Sequence, residues 1–122
     1  MQGVMASTFD LTGDNRIFCG ADYGLGLTLK DGTGTAINLT GATLASQIRK
    51  TQASDTILAS FTATITDAAA GKVTLSIPAT TTATLPATAS DNFWKYDILY
   101  TKSGTKIRIL EGDVEVDGAV TR

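Results

Sequence analysis

The chain contains no histidine, one cysteine, two prolines and few aromatic residues, and each shortage excludes something. Without histidine there is no imidazole to act as a general base near neutral pH, to anchor a metal, or to complete a serine or cysteine triad of the usual kind. A lone cysteine forms neither an intrachain disulfide nor a zinc knuckle. Charge is also sparse, at 18% of residues against the roughly 25% usual for soluble domains. Ten Lys plus Arg against twelve Asp plus Glu leave a net charge of −2, the wrong balance for a surface that grips phosphates. No run approaches the roughly 20 apolar residues of a membrane span, and residues 1–10 carry no Lys, no Arg and no apolar core of a secretory signal. The expectation is a non-enzymatic module with no cofactor or metal, which meets no nucleic acid, membrane or small-molecule substrate.

What is present points to strands. Hydrophobic residues make up 43% of the 122 but aromatics only 7%, so the apolar content is largely Ala, Val, Ile and Leu, and threonine is the commonest residue. β-Branched side chains fit a pleated surface, and a chain of this length buries roughly two thirds of its unfolded surface, enough to fold without staples.

Apolar residues alternate with polar ones between Gly, Asp and Asn turns, a period-two pattern with almost no helical counterpart. Leu25, Leu27 and Leu29 read as a strand entering the turn Lys30-Asp31-Gly32-Thr33-Gly34, with Thr35-Ala36-Ile37 as a short return strand. Residues 42–50 read as a strand with Leu44, Ser46 and Ile48 on one face and Thr43, Ala45, Gln47 and Arg49 on the other. Residues 57–66 and 72–77 form the clearest hairpin, the second strand placing Val73, Leu75 and Ile77 on one face. Pro78 ends that strand, and residues 79–85 read as one helical turn between two sheets. Residues 92–101 place Trp94, Tyr96, Ile98 and Tyr100 on one face, opposite Phe93, Lys95, Asp97 and Leu99. In residues 106–117 the apolar parity shifts after Leu110, and a bulge is predicted at Gly112. Ser7-Thr8-Phe9-Asp10-Leu11 is a candidate first strand, preceded by an arm over residues 1–6 that would order against a neighbouring subunit. The sum is an all-β, immunoglobulin-like antiparallel sandwich of about seven strands with one short helical turn. Residues 1–22 are its arm and first strand and residues 23–122 its body, a single domain overall.

Four features invite a functional reading. Gly24-Leu25-Gly26 begins like a dinucleotide fingerprint, but no third glycine and no helix follow, so the glycines are read as easing a twisted strand. Asp31-Gly32-Thr33-Gly34-Thr35 has the composition of a hairpin turn and lacks the partners that a phosphorylated aspartate or a protease dyad requires. Cys19, with no charged neighbour, reads as a small buried hydrophobe. Glu111, Asp113, Glu115 and Asp117 alternate along one face of the last strand. Such a row is ordinarily a solvated face, with partner docking or a Ca²⁺ site as other outcomes. Among the aromatics, Trp94 and Tyr96 suit a core, whereas Phe93, on the opposite face, is the better interface residue. The candidate interface is therefore Phe93, Glu111, Asp113, Glu115 and Asp117, with no catalytic, cofactor or metal residue.

Several segments carry a resemblance. These are Asn38-Leu39-Thr40-Gly41-Ala42-Thr43 with Gln47-Ile48-Arg49, the stretch from Ala70-Gly71-Lys72-Val73 to Ile77-Pro78-Ala79, Tyr96-Asp97-Ile98, and the stretch from Ile109-Leu110-Glu111-Gly112 to Val120-Thr121-Arg122. Together they resemble small immunoglobulin-like structural proteins of tailed bacteriophages, and are similar to the N-terminal domain of phage baseplate upper proteins. The resemblance covers about two thirds of the chain and implies a virion structural protein assembled in the host cytoplasm. It would stand at a baseplate or fibre attachment, among other virion proteins in symmetric copies. Residues 1–23 lie outside the resemblance and no fibre follows residue 122, so a free-standing subunit is expected. Capsid decoration is the alternative placement. A carbohydrate-binding module, with Trp94, Tyr96 and Tyr100 as an exposed stacking platform, is the alternative of another class.

Overall fold

The computed structural model describes residues 7–31, 33–89 and 92–118. Its strands are β1 (Ser7–Thr8), β2 (Ile17–Phe18), β3 (Tyr23–Thr28), β4 (Thr43–Arg49), β5 (Ala59–Asp67), β6 (Lys72–Ile77), β7 (Trp94–Lys102), β8 (Thr105–Val114) and β9 (Val116–Asp117). A 3-10 turn at Gly13–Asn15 and the helical turn α1 (Ala79–Thr82) complete the elements. Seven strands follow one another in the order β1-β8-β7-β4-β5-β6-β3, and β2 pairs with β9 separately. The sheet folds over at β5. Its first residues, Ala59 and Phe61, pair with Ile48 and Ser46 of β4, and from Thr62 onward it pairs with β6. The two halves, β8-β7-β4 and β5-β6-β3, are the two faces of an immunoglobulin-type sandwich.

Alternation decides what lies between them. Val73, Leu75 and Ile77 of β6 are buried, as are Ile48 of β4, Tyr96, Ile98 and Tyr100 of β7, and Phe61 of β5. The ring of Phe61 stands between Tyr23 and Tyr96, its centroid 6.1 Å from the first and 6.0 Å from the second. These tilted and edge-on contacts tie the halves together. Two buried polar side chains are both satisfied: Ser46 donates to the Asp97 carbonyl at 2.6 Å, and Thr82 donates to the Ala21 carbonyl at 2.8 Å.

Three expectations change. The bulge falls at Ile109, not at Gly112: the β7–β8 register slips between Ile98, opposite Leu110, and Leu99, opposite Arg108. The reason is that Ile109 and Leu110 are adjacent and both buried, which regular alternation forbids and an extra residue allows. The sandwich is also not antiparallel throughout. β1 runs parallel to β8, and β2 parallel to β9, so that Leu11 and Ile17 enter the core, fully buried. The return strand at residues 35–37 is reduced to one bridge, Lys30 with Ala36. The arm expected over residues 1–6 lies outside the described residues.

Segment 7–22 is held at many points. Main-chain amides of Phe9, Leu11, Ile17 and Cys19 donate to the carbonyls of Glu111, Asp113, Glu115 and Asp117, at 2.7–2.9 Å. The Tyr96 hydroxyl donates to the Phe9 carbonyl at 2.5 Å, and that of Tyr23 to the Asn15 carbonyl at 2.7 Å. Burial pushes the Tyr23 phenol up from 10.0 to about 12. It pushes Tyr96 up as well, with the charges of Tyr23 and Asp10 adding to the effect. A raised folded-state value means the folded chain keeps a proton that the unfolded chain releases. The contribution is intact below pH 10 and is lost as pH rises through about 12. Thermal melts at pH 8, 10 and 11 should therefore show a decline above pH 10 that Tyr23→Phe makes shallower; equal slopes in both proteins would refute it.

Candidate functional site

The outer face of β4, β7 and β8 carries a cleft of about 360 Å³ beneath the loop of residues 51–55. Register builds it: Gln47 lies opposite Asp97 and Arg49 opposite Lys95, while on the other side of β7 Asp97 lies opposite Glu111 and Lys95 opposite Asp113. Odd-numbered positions of three strands thereby gather charges of both signs on the side away from the core, like charges directly opposite at Arg49/Lys95 and Asp97/Glu111 and opposite charges at Lys95/Asp113. Arg49 pins the loop, one guanidinium nitrogen donating to the Ser54 carbonyl at 2.7 Å and the other to Gln47 Oε1 at 3.0 Å. Gln52 reaches across from the loop and donates to Glu111 Oε2 at 3.0 Å. Arg108 pairs with Asp97 at 3.2 Å, and Lys95 with Asp113.

The predicted interface residues fall into two groups. Glu111 lines the cleft, with Asp113 beside it on β8. Glu115 and Asp117 belong to the N-terminal junction: Glu115 Oε1 accepts the Gly13 amide at 2.9 Å, and Asp117 pairs with Arg16 at 3.2 Å. The Arg16 guanidinium also sits 4.6 Å from the ring centroid of Phe18, an exposed aromatic. The four carboxylates therefore share a face, yet each has a different partner, and no group of three possible ligands converges on a metal position among the described residues. Phe93 lies just before β7 and is half-buried. Sequence reasoning did not single out Arg49, Gln52, Lys95 and Arg108. The shared parity of Gln47 and Arg49 on one strand and of Lys95 and Asp97 on another was the available signal.

The sugar-stacking platform loses its premise. Tyr96 and Tyr100 are 3% and 2% exposed, and the Trp94 indole is turned to donate to the Pro86 carbonyl at 2.8 Å. Cys19 is half-buried, with its sulfur 3.6 Å from the Ala83 carbonyl, rather than fully buried as expected. Asp31 serves its turn, accepting the Thr33 hydroxyl at 2.6 Å and the amides of Thr33 and Thr35. Those bonds, the side-chain one foremost, favour the ionised carboxylate and hold its pKa below the usual aspartate value. What the cleft offers chemically is a mixed-charge recess whose side chains are held by one another.

Residues 16–117 match the family model described as LtfC-like, beta-sandwich domain. No curated protein matches the chain.

Proposed function

We propose that this chain, which belongs to the LtfC-like, beta-sandwich domain family, is a non-enzymatic structural component of a tailed-phage particle, set at the tail fibre or its baseplate attachment. The family match carries the reading: it spans residues 16–117, nearly the whole sandwich, and LtfC is a phage-related tail-fibre protein. The chemistry of the surface supports it. Ion pairs between β7 and β8 on the outer face, beside Gln47 and Arg49 of β4, give a nearly neutral wall suited to packing beside other virion proteins in repeated copies. Rim charges of this kind set register and partner choice more than affinity.

Antibody labelling and cryo-electron microscopy of purified particles test this placement. Label at the tail tip or fibre base is the expected result. Label on the head would move the chain to capsid decoration, and its absence from particles would overturn a virion role altogether.

A further inference from the structure

The sandwich leaves one edge open at β3. This strand pairs with β6 on one side only and ends the strand order. Its phase follows from the Leu29 amide, which donates to the Gly71 carbonyl at 2.8 Å. In an antiparallel ladder the bonded residues alternate. Tyr23, Leu25 and Leu27 therefore spend their main-chain groups on β6, and Gly24, Gly26 and Thr28 aim theirs outward. The same phase reaches Lys30, whose bridge to Ala36 is closed by its neighbours Leu29 and Asp31 and leaves its own amide and carbonyl facing out.

Among the described residues nothing guards this edge. Tyr23–Thr28 carries no charge and no proline, and its pairing with β6 runs without a bulge. Natural edges are ordinarily blunted by one of those devices. The two glycines are not explained within one copy. Neither has a left-handed backbone, and a Cβ on either would meet nothing within 4 Å. Glycine weakens a strand, and where its own fold does not need it, it marks a place where another backbone comes close.

We infer that β3 is the docking edge for β3 of a second copy of this chain, antiparallel about a two-fold axis through Gly26. Self-pairing in this register is complementary at every step. Gly24 faces Thr28 of the partner and Gly26 faces its own copy, giving about six main-chain hydrogen bonds from the closely spaced pairs, to which the two Lys30 amides, each opposite the partner's Asp22, add about two more. Leu25 faces the partner's Leu27, so two half-buried side chains on the core side cover each other. Beyond the strand, Asp22 faces the partner's Lys30, and opposite charges meet at both ends. A two-fold contact of this kind consumes both open edges and stops at two copies. The pairing holds whether or not the chain is found in a particle.

Sedimentation equilibrium of the full chain, paired with hydrogen exchange at several concentrations, tests it. The expected result is a reversible dimer in which the amides of Gly24, Gly26, Thr28 and Lys30 exchange more slowly as dimer forms, while those of Tyr23, Leu25 and Leu27 do not change. Gly26→Pro removes an outward donor that β6 does not use, and should weaken the dimer on the order of 10-fold to 100-fold. Lys30→Glu, which sets like charges together at both ends, should also weaken it and raise its sensitivity to low salt. Should Gly26→Pro fail to fold, Lys30→Glu and the exchange pattern decide. Three results would overturn the pairing: a monomer at ~1 mM, a dimer indifferent to Lys30→Glu with those four amides unprotected, or the same amides already protected in dilute monomer because another segment covers the edge.

Discussion

Gly71→Ala should lower stability by about 3 kcal/mol or more, whereas Gly34→Ala should cost only about 1 kcal/mol. Both glycines hold a left-handed backbone, at φ +69° and +85°, so the conformational penalty of adding a side chain is alike. Their surroundings differ. A Cβ at Gly34 would meet nothing within 4 Å, while one at Gly71 would lie 2.8 Å from the carbonyl oxygens of both Leu29 and Ile37. Those oxygens cannot step aside cheaply. Leu29 donates its amide to the Gly71 carbonyl, Ile37 donates to Leu29, and Leu39 donates to Ala68, while the side chains of all three are buried. Moving them opens the core at the turn between β5 and β6. Chemical denaturation of the two variants beside the parent measures the contrast, and equal losses would show that the clash is relieved by a small shift.

The sandwich was largely legible in the sequence because its strands obey the period of two. Val73, Leu75 and Ile77, or Tyr96, Ile98 and Tyr100, declare a buried face by spacing alone, and all six are buried. The helical turn between Pro78 and Pro86 was marked by its brackets, and α1 stands there. Legibility stopped where geometry depends on a distant partner. The position of the bulge follows from Ile109 and Leu110 both finding room inward, which depends on where Ile98 and Leu99 stand on the neighbouring strand. Gly112 looked like the bulge because it interrupts the apolar run; its actual setting involves Phe9, far away in the chain.

The acidic row failed to predict its own surroundings for the same reason. Alternation placed Glu111, Asp113, Glu115 and Asp117 on one face, but what each carboxylate meets comes from Gln52, Lys95, the Gly13 amide and Arg16 respectively. Two of those four partners belong to the N-terminal segment, whose parallel course along β8 and β9 leaves no local signature. A row of like charge along a strand is mildly repulsive by itself. Here each charge is offset by a group of opposite sign or by a donor, so the row is less an advertisement for a basic partner than the seam that closes the fold.

That seam yields the second large effect: Gly112→Ala should peel the N-terminal segment from β8 and cost about 3 kcal/mol. Gly112 faces inward opposite Tyr96, and a Cβ there would stand 2.2 Å from the Phe9 carbonyl oxygen and 2.8 Å from its carbon. Either the segment lifts or β8 bows. Lifting breaks the bond from the Phe9 amide to Glu111 and that from the Asp113 amide to Asp10, and leaves the buried Tyr96 hydroxyl without its acceptor. An orphaned buried donor costs about 1–3 kcal/mol, and partial exposure of Leu11 adds to it. Tyr96→Phe, which keeps the ring and loses only the bond, should cost about 1–2 kcal/mol. Gly118→Ala is the control, since its Cβ would meet Ala87 at 3.6 Å, an ordinary contact. Hydrogen exchange locates the damage. The amides of Phe9 and Leu11 should exchange much faster in Gly112→Ala, those of Ile17 and Cys19 less so because Glu115 and Asp117 still hold them, and those of β6 least. Uniform acceleration across the whole sandwich would mean that the segment and the body unfold as one unit, and that the carbonyl of Phe9 is part of the core it covers.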